Sequence, residues 1–150
     1  MGSKYKGFTL IEIVVVIGIM IAAFAVVFPL TVSQIRENKL ISTAEEVAGA
    51  IFEAQQYAYN KKNGLGYGIK FNSDSYEYIS GANYNEAVAD DLFTIESGVD
   101  VTESLFGTKT DIFFQPGSVR PDDPGEITIS DGALTVTVSI NSEGAIFIND

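Results

Sequence analysis

Apolar residues run almost unbroken through positions 8–32, FTLIEIVVVIGIMIAAFAVVFPLTV, interrupted only by Thr9, Glu12, Gly18, Pro29 and Thr31. About 20 such residues in a helix span a bilayer core of roughly 30 Å, so the run predicts a membrane-spanning helix. A secretory h-region is shorter, at ~7–15 residues, and the positions after Ala23 stay apolar where a cleaved signal would give way to a polar mature start. From Gln34 the pattern turns amphipathic. Ile41, Ala44, Ala48, Ile51, Gln55 and Ala58 recur at helical spacing with Leu40, Val47 and Ala54 beside them, flanked by Glu45, Glu46, Glu53 and Gln56. That stripe predicts a continuing helix with one face packed on a sheet. Lys61 and Lys62 suit its carboxy end, and Asn63-Gly64 is the expected stop.

Past Gly64 the chain breaks into short β-branched and aromatic segments at 67–71, 76–79, 92–95, 99–102, 111–114, 126–129, 134–140 and 145–148. Turn chemistry separates them, as in Asn72-Ser73-Asp74, Ser97-Gly98, Pro116-Gly117, Pro124-Gly125, Asp131-Gly132 and Ser142-Glu143-Gly144. The last three strands read as consecutive hairpins. The predicted fold is α+β: a long amino-terminal helix, membrane-spanning in its first half and amphipathic in its second, packed on an antiparallel sheet or a pair of small sheets. Four segments follow: 1–7, 8–32, 33–63 and a β-rich 64–150.

Charge and composition narrow the chemistry. Residues 64–150 carry Lys70, Lys109 and Arg120 against fifteen Asp and Glu, so 3 − 15 = −12, which disfavours contact with nucleic acid. There is no cysteine and no histidine, which removes disulfides, thiolate metal sites and the commonest general base. No cofactor is expected. Asp122, Asp123, Glu126 and Asp131 cluster around a Pro/Gly turn and are weak candidates for Ca²⁺, in a spacing unlike an EF-hand; acidic turns are usually just solvated. Asp90-Asp91 reads as solvated too. Paired carboxylates run glycoside hydrolysis at ~5–9.5 Å separation, but no pair here is singled out, and no enzyme is expected. The tyrosines are expected in the core and on the sheet surface.

Glu12 is the anomaly of the apolar run. A carboxylate deep in a membrane helix costs about 2.5–3.5 kcal/mol at its centre and less near the interface, so it is either hydrated at the headgroups or paired. Lys4 and Lys6 ahead of the run keep the amino terminus cytoplasmic and place everything after it outside.

Lys6-Gly7-Phe8-Thr9-Leu10-Ile11-Glu12, running straight into the apolar stretch, resembles the class III signal of bacterial type IV pilins and type II secretion pseudopilins. The resemblance implies a leader removed by prepilin peptidase after Gly7, an amino terminus at Phe8 that is then N-methylated, and a Glu12 carboxylate that meets a neighbouring subunit's amino terminus. It implies a bend at Pro29, where proline removes a backbone donor. It also implies a single-pass protein of the cytoplasmic (inner) membrane that passes into a pilus or pseudopilus, with other pilin or pseudopilin subunits and the inner-membrane assembly machinery as partners. Residues 111–117 (DIFFQPG), 127–129 and 136–144 (VTVSINSEG) resemble the carboxy-terminal pattern of GspH/FimT minor pilins, an F-x-P-x-G element and a closing hairpin with Ser/Asn-x-x-Gly. Gly117 here follows Pro116 directly, a one-residue departure. Without cysteines, any carboxy-terminal loop is held by packing alone. A minor subunit is the expected role; the alternatives are the major pilin of a thin pilus and a membrane-anchored adhesin or binding module.

Overall fold

The computed structural model describes residues 7–95 and 98–149, and the side chains of all of these except 26–31 and 103. Lys4 and Lys6 lie outside the described residues. Two compact units divide the chain, Met1–Arg36 and Glu37–Asp150.

Helix α1 covers Leu10–Tyr59. In the second unit its buried row is Leu40, Ala44, Val47, Ile51, Ala54 and Ala58, joined by Thr43, Ala50 and Gln55. The row is centred on Leu40-Val47-Ala54; Ile41 and Ala48, expected at its middle, are half-buried at its margin. Thr43 tolerates burial because its hydroxyl donates to the Lys39 carbonyl one turn back, at 3.0 Å. The helix also stops earlier than Asn63-Gly64 suggests. The Ala58 carbonyl accepts from Lys61 N at 3.0 Å and from Gly117 N at 2.7 Å, and Lys61 turns left-handed at φ 51°. One orphan carbonyl of the last turn is thereby satisfied from outside the helix, and the chain leaves through a short 3-10 turn at Lys62–Gly64.

All eight expected strands form: β1 (Gly66–Phe71), β2 (Ser75–Gly81), β3 (Val88–Thr94), β4 (Asp100–Phe106), β5 (Asp111–Phe114), β6 (Gly125–Ser130), β7 (Thr135–Ile140) and β8 (Ile146–Asn149). They make two four-stranded sheets, ordered β3-β2-β1-β5 and β4-β6-β7-β8, with every pairing antiparallel. As expected, β6, β7 and β8 are consecutive hairpins. Inward residues of both sheets, among them Ile69, Ile112, Phe114, Phe106, Ile127, Ile129 and Val138, share one core with the α1 row. Fully burying a side chain of this size contributes about 1.5–3 kcal/mol, which makes this shared core the main reason the second unit holds together.

Sheet β3-β2-β1-β5 also buries part of its outer face. Phe113 is 2% exposed and outside that core: its ring lies over Gly66 and Gly68 of β1, with Tyr84 edge-on at 6.0 Å. A Cβ on Gly66 would come within 2.7 Å of the ring, so glycine at alternate positions of β1 makes the space that Phe113 fills. Strand β3, by contrast, is exposed along its whole length at the sheet edge. Two adjacent aspartates, Asp90 and Asp91, stand on it, the charge that discourages edge-to-edge pairing.

Candidate functional site

Gly7 and Phe8 are exposed, Phe8 at 81%, just ahead of α1. Thr9 is the residue before the helix, and its hydroxyl accepts from Glu12 N at 3.3 Å. Threonine at the cap with glutamate three places on is a capping-box pattern, T-x-x-E, which also sets a negative charge in the first turn, where the helix dipole favours it. Leu10, Ile11, Ile13, Val14, Val15 and Val16 surround Glu12, each about half exposed or more. An apolar surface of this extent marks a place that lipid or protein covers. Among the described residues no helix is long and apolar enough to cross a membrane; within this run the side chains of 26–31 lie outside the described residues. Pro29 falls within the helical backbone, but its side chain lies outside the described residues.

At the other end of α1, two loops distant in sequence close on the helix. Gln115-Pro116-Gly117-Ser118 forms a turn with Ser118 N donating to Gln115 O at 3.0 Å; Gly117, at φ 83°, occupies the position that needs a left-handed residue, and its N–H reaches Ala58 O. The Ile140–Ala145 hairpin is knotted by Asn141, whose side-chain oxygen accepts from Glu143 N at 3.0 Å and Ala145 N at 2.9 Å. Gln55 joins the two. Its amide nitrogen donates to Val119 O at 2.7 Å and to Gly144 O at 2.8 Å, and the residue is only 5% exposed. The F-x-P-G and Asn-x-x-Gly elements therefore have one physical role, to bind the last turns of α1 where no disulfide is available.

A model of the prokaryotic N-terminal methylation motif matches residues 2–28. Among solved structures the chain is similar to the minor pseudopilin EpsH of the type II secretion system of Vibrio cholerae, with a TM-score of 0.54 over 77% of this chain and 95% of that one. Sequence identity there is 11%, so the likeness is one of fold. No curated protein matches. The amino terminus matches the methylation motif, and most of the chain shares the fold of that pseudopilin.

The four calcium candidates do not converge. Asp122 accepts from the Gln115 amide at 3.1 and 2.9 Å, and Asp123 pairs with Lys109 at 3.0 Å. Asp131 Oδ1 caps its own turn, accepting from Ala133 N and Leu134 N at 2.9 Å each, while Glu126 lies at the far end of β6, opposite Ser139. Among the described residues no three acidic side chains come together as a metal site.

The tyrosines divide as burial dictates: Tyr67 and Tyr76 are in the core, and Tyr59 is exposed. What the sequence pattern does not announce is their alliance with the glutamates of α1. Tyr76 donates to Glu46 at 3.0 Å, and Glu53, two turns on, accepts from both Tyr57 and Tyr78. The hydrogen bonds from Tyr57 and Tyr78 hold the Glu53 carboxyl below its usual range. Burial first, and the bond to Glu53 second, push the Tyr78 phenol well up; burial and the Glu46 bond do the same to Tyr76.

Proposed function

We propose that this chain is a minor subunit of a type IV pilus or type II secretion pseudopilus. The reading is carried by one combination, a methylation-type amino terminus leading into an apolar helix and followed by a pseudopilin fold. Residues 1–7 are the leader, which prepilin peptidase removes after Gly7. Phe8 becomes the N-methylated amino terminus. Residues 8–32 anchor the subunit in the cytoplasmic membrane with Lys4 and Lys6 inside, residues 33–63 continue the helix, and the β-rich 64–150 lies outside. The role is structural, and its partners are the peptidase, the assembly machinery and other pilin subunits.

Physical chemistry supports the part given to Glu12. Cleavage after Gly7 creates a positive amino group at the positive end of a helix dipole, in apolar surroundings, which is costly twice over. A carboxylate meeting it removes both costs. Supplied by Glu12 of a neighbouring subunit, that pairing exists only in the filament and so drives assembly. Pro29, which removes a backbone hydrogen bond within the same helix, gives it a point of bending when subunits pack.

The minor-subunit reading is tested on filaments sheared from the cell surface or from an overproduced pseudopilus. The chain is expected in them as a trace component beside a more abundant pilin. Absence from the filaments would overturn the subunit role, and a filament made mostly of this chain would make it the major pilin.

A further inference from the structure

Between the end of α1 and the edge of sheet β3-β2-β1-β5 lies a cleft of about 130 Å³. Tyr57, Tyr67, Tyr78 and Phe93 line it with aromatic surface, Tyr57 edge-on to Tyr67 at 5.5 Å and Tyr78 edge-on to Phe93 at 5.4 Å. Three carboxylates, Glu53, Asp90 and Asp91, share the lining with one cation, Lys62, which leaves −3 + 1 = −2. Glu53 is fixed by its two phenol donors, and Asp90 is steadied by Ser80 at 2.9 Å. Lys62 already shows what the aromatic walls accept: its ammonium sits 3.7 Å from the Tyr57 ring centre and 5.8 Å from that of Tyr67.

We infer that this cleft binds an arginine side chain of a partner polypeptide, the guanidinium stacking on the tyrosines and forking onto the aspartates in place of Lys62. Surplus negative charge excludes anionic ligands. Aromatic faces attract a cation through their quadrupole, and a planar guanidinium satisfies faces and carboxylates together where an ammonium behaves as a point charge. Access for a polypeptide comes from β3, which carries Asp90, Asp91 and Phe93, is exposed throughout and pairs on one side only, with β2.

The test uses the full-length chain in detergent micelles with isotope-labelled tyrosine rings, titrated with a blocked glycine-arginine-glycine peptide and with the same peptide carrying citrulline, the uncharged isostere. The arginine peptide is expected to shift the Tyr57, Tyr67 and Tyr78 ring resonances saturably, and the citrulline peptide to bind at least about tenfold more weakly. The double variant Asp90→Asn, Asp91→Asn should lose about tenfold in affinity, and Lys62→Gln, which removes the resident cation, should gain severalfold. Equal binding of the citrulline peptide, no saturable shift, or weaker binding by Lys62→Gln would overturn the inference.

Discussion

Replacing Glu12 with alanine is expected to abolish entry into filaments while leaving the amount of protein in the membrane unchanged. Removal of one partner from a buried ion pair costs roughly 3–5 kcal/mol, because the other charge is left uncompensated, and every ~1.4 kcal/mol is tenfold in an equilibrium. Assembly should therefore fall by more than about a hundredfold. Membrane insertion should not fall, since the substitution removes a charge from an apolar run. The T-x-x-E pattern of Thr9 and Glu12 suggests a second use for the Glu12 side chain, helix capping, and Glu12→Gln separates the two. Glutamine serves a capping box but carries no charge. Charge pairing predicts that Glu12→Gln assembles as poorly as Glu12→Ala; near-normal filaments from the glutamine variant would mean that capping is the whole of the role.

The second large effect is expected at Gly144. It stands at φ 86°, where a side chain is strained, and an added Cβ would collide with the Val119 carbonyl and lie 2.6 Å from Gln55 Nε2. Neither neighbour has freedom to move, because those two groups are bonded to each other and, through Gln55, to Gly144 itself. Gly132 has the same φ of 86° with nothing near a new Cβ, so it isolates the backbone strain. Gly132→Ala should cost about 1–2 kcal/mol, and Gly144→Ala about 3 kcal/mol or more, since overpacking and the loss of buried hydrogen bonds add to the strain. In thermal unfolding that is roughly 10 °C for a domain of this size. Equal losses at the two glycines would show that the Gln55 tie contributes nothing.

Much of this architecture is legible in the sequence because most of its determinants are local. Each strand is bounded by a turn whose residues declare it, and β6, β7 and β8 follow one another through two such turns. Strand β3 shows where that logic weakens. It begins at Val88, four residues before the apolar Leu92-Phe93 that signals it, because an edge strand exposed on both faces needs no alternation and can carry Asp90-Asp91 within it. Pairing of β1 with β5 across some forty intervening positions has no local signature at all. The spacing of the α1 stripe points one row away from its buried centre, since a helix packed on two sheets buries a wider arc than spacing alone defines.

The candidate site divides in the same way. Gly7, Phe8 and Glu12 stand out as a contiguous motif, and the methylation-motif match spans all three. Thr9 could have been read as a cap from T-x-x-E, a pattern hidden by the apolar residues around it. Gln55 had a signal too: a polar residue in the inward row of an amphipathic helix must find partners, though only the fold shows that these are the Val119 and Gly144 carbonyls. The four acidic calcium candidates were neighbours in sequence alone; turn capping, an ion pair and an amide contact each take one, and strand pairing carries Glu126 away from Asp131.

Mass spectrometry of the amino terminus decides whether the mature chain begins where a cut after Gly7 would leave it. In cells that make prepilin peptidase, the expected chain has lost residues 1–7 and begins at N-methylated Phe8. A chain that begins at Met1, or at Phe24 after a cut following Ala23, would rule that processing out.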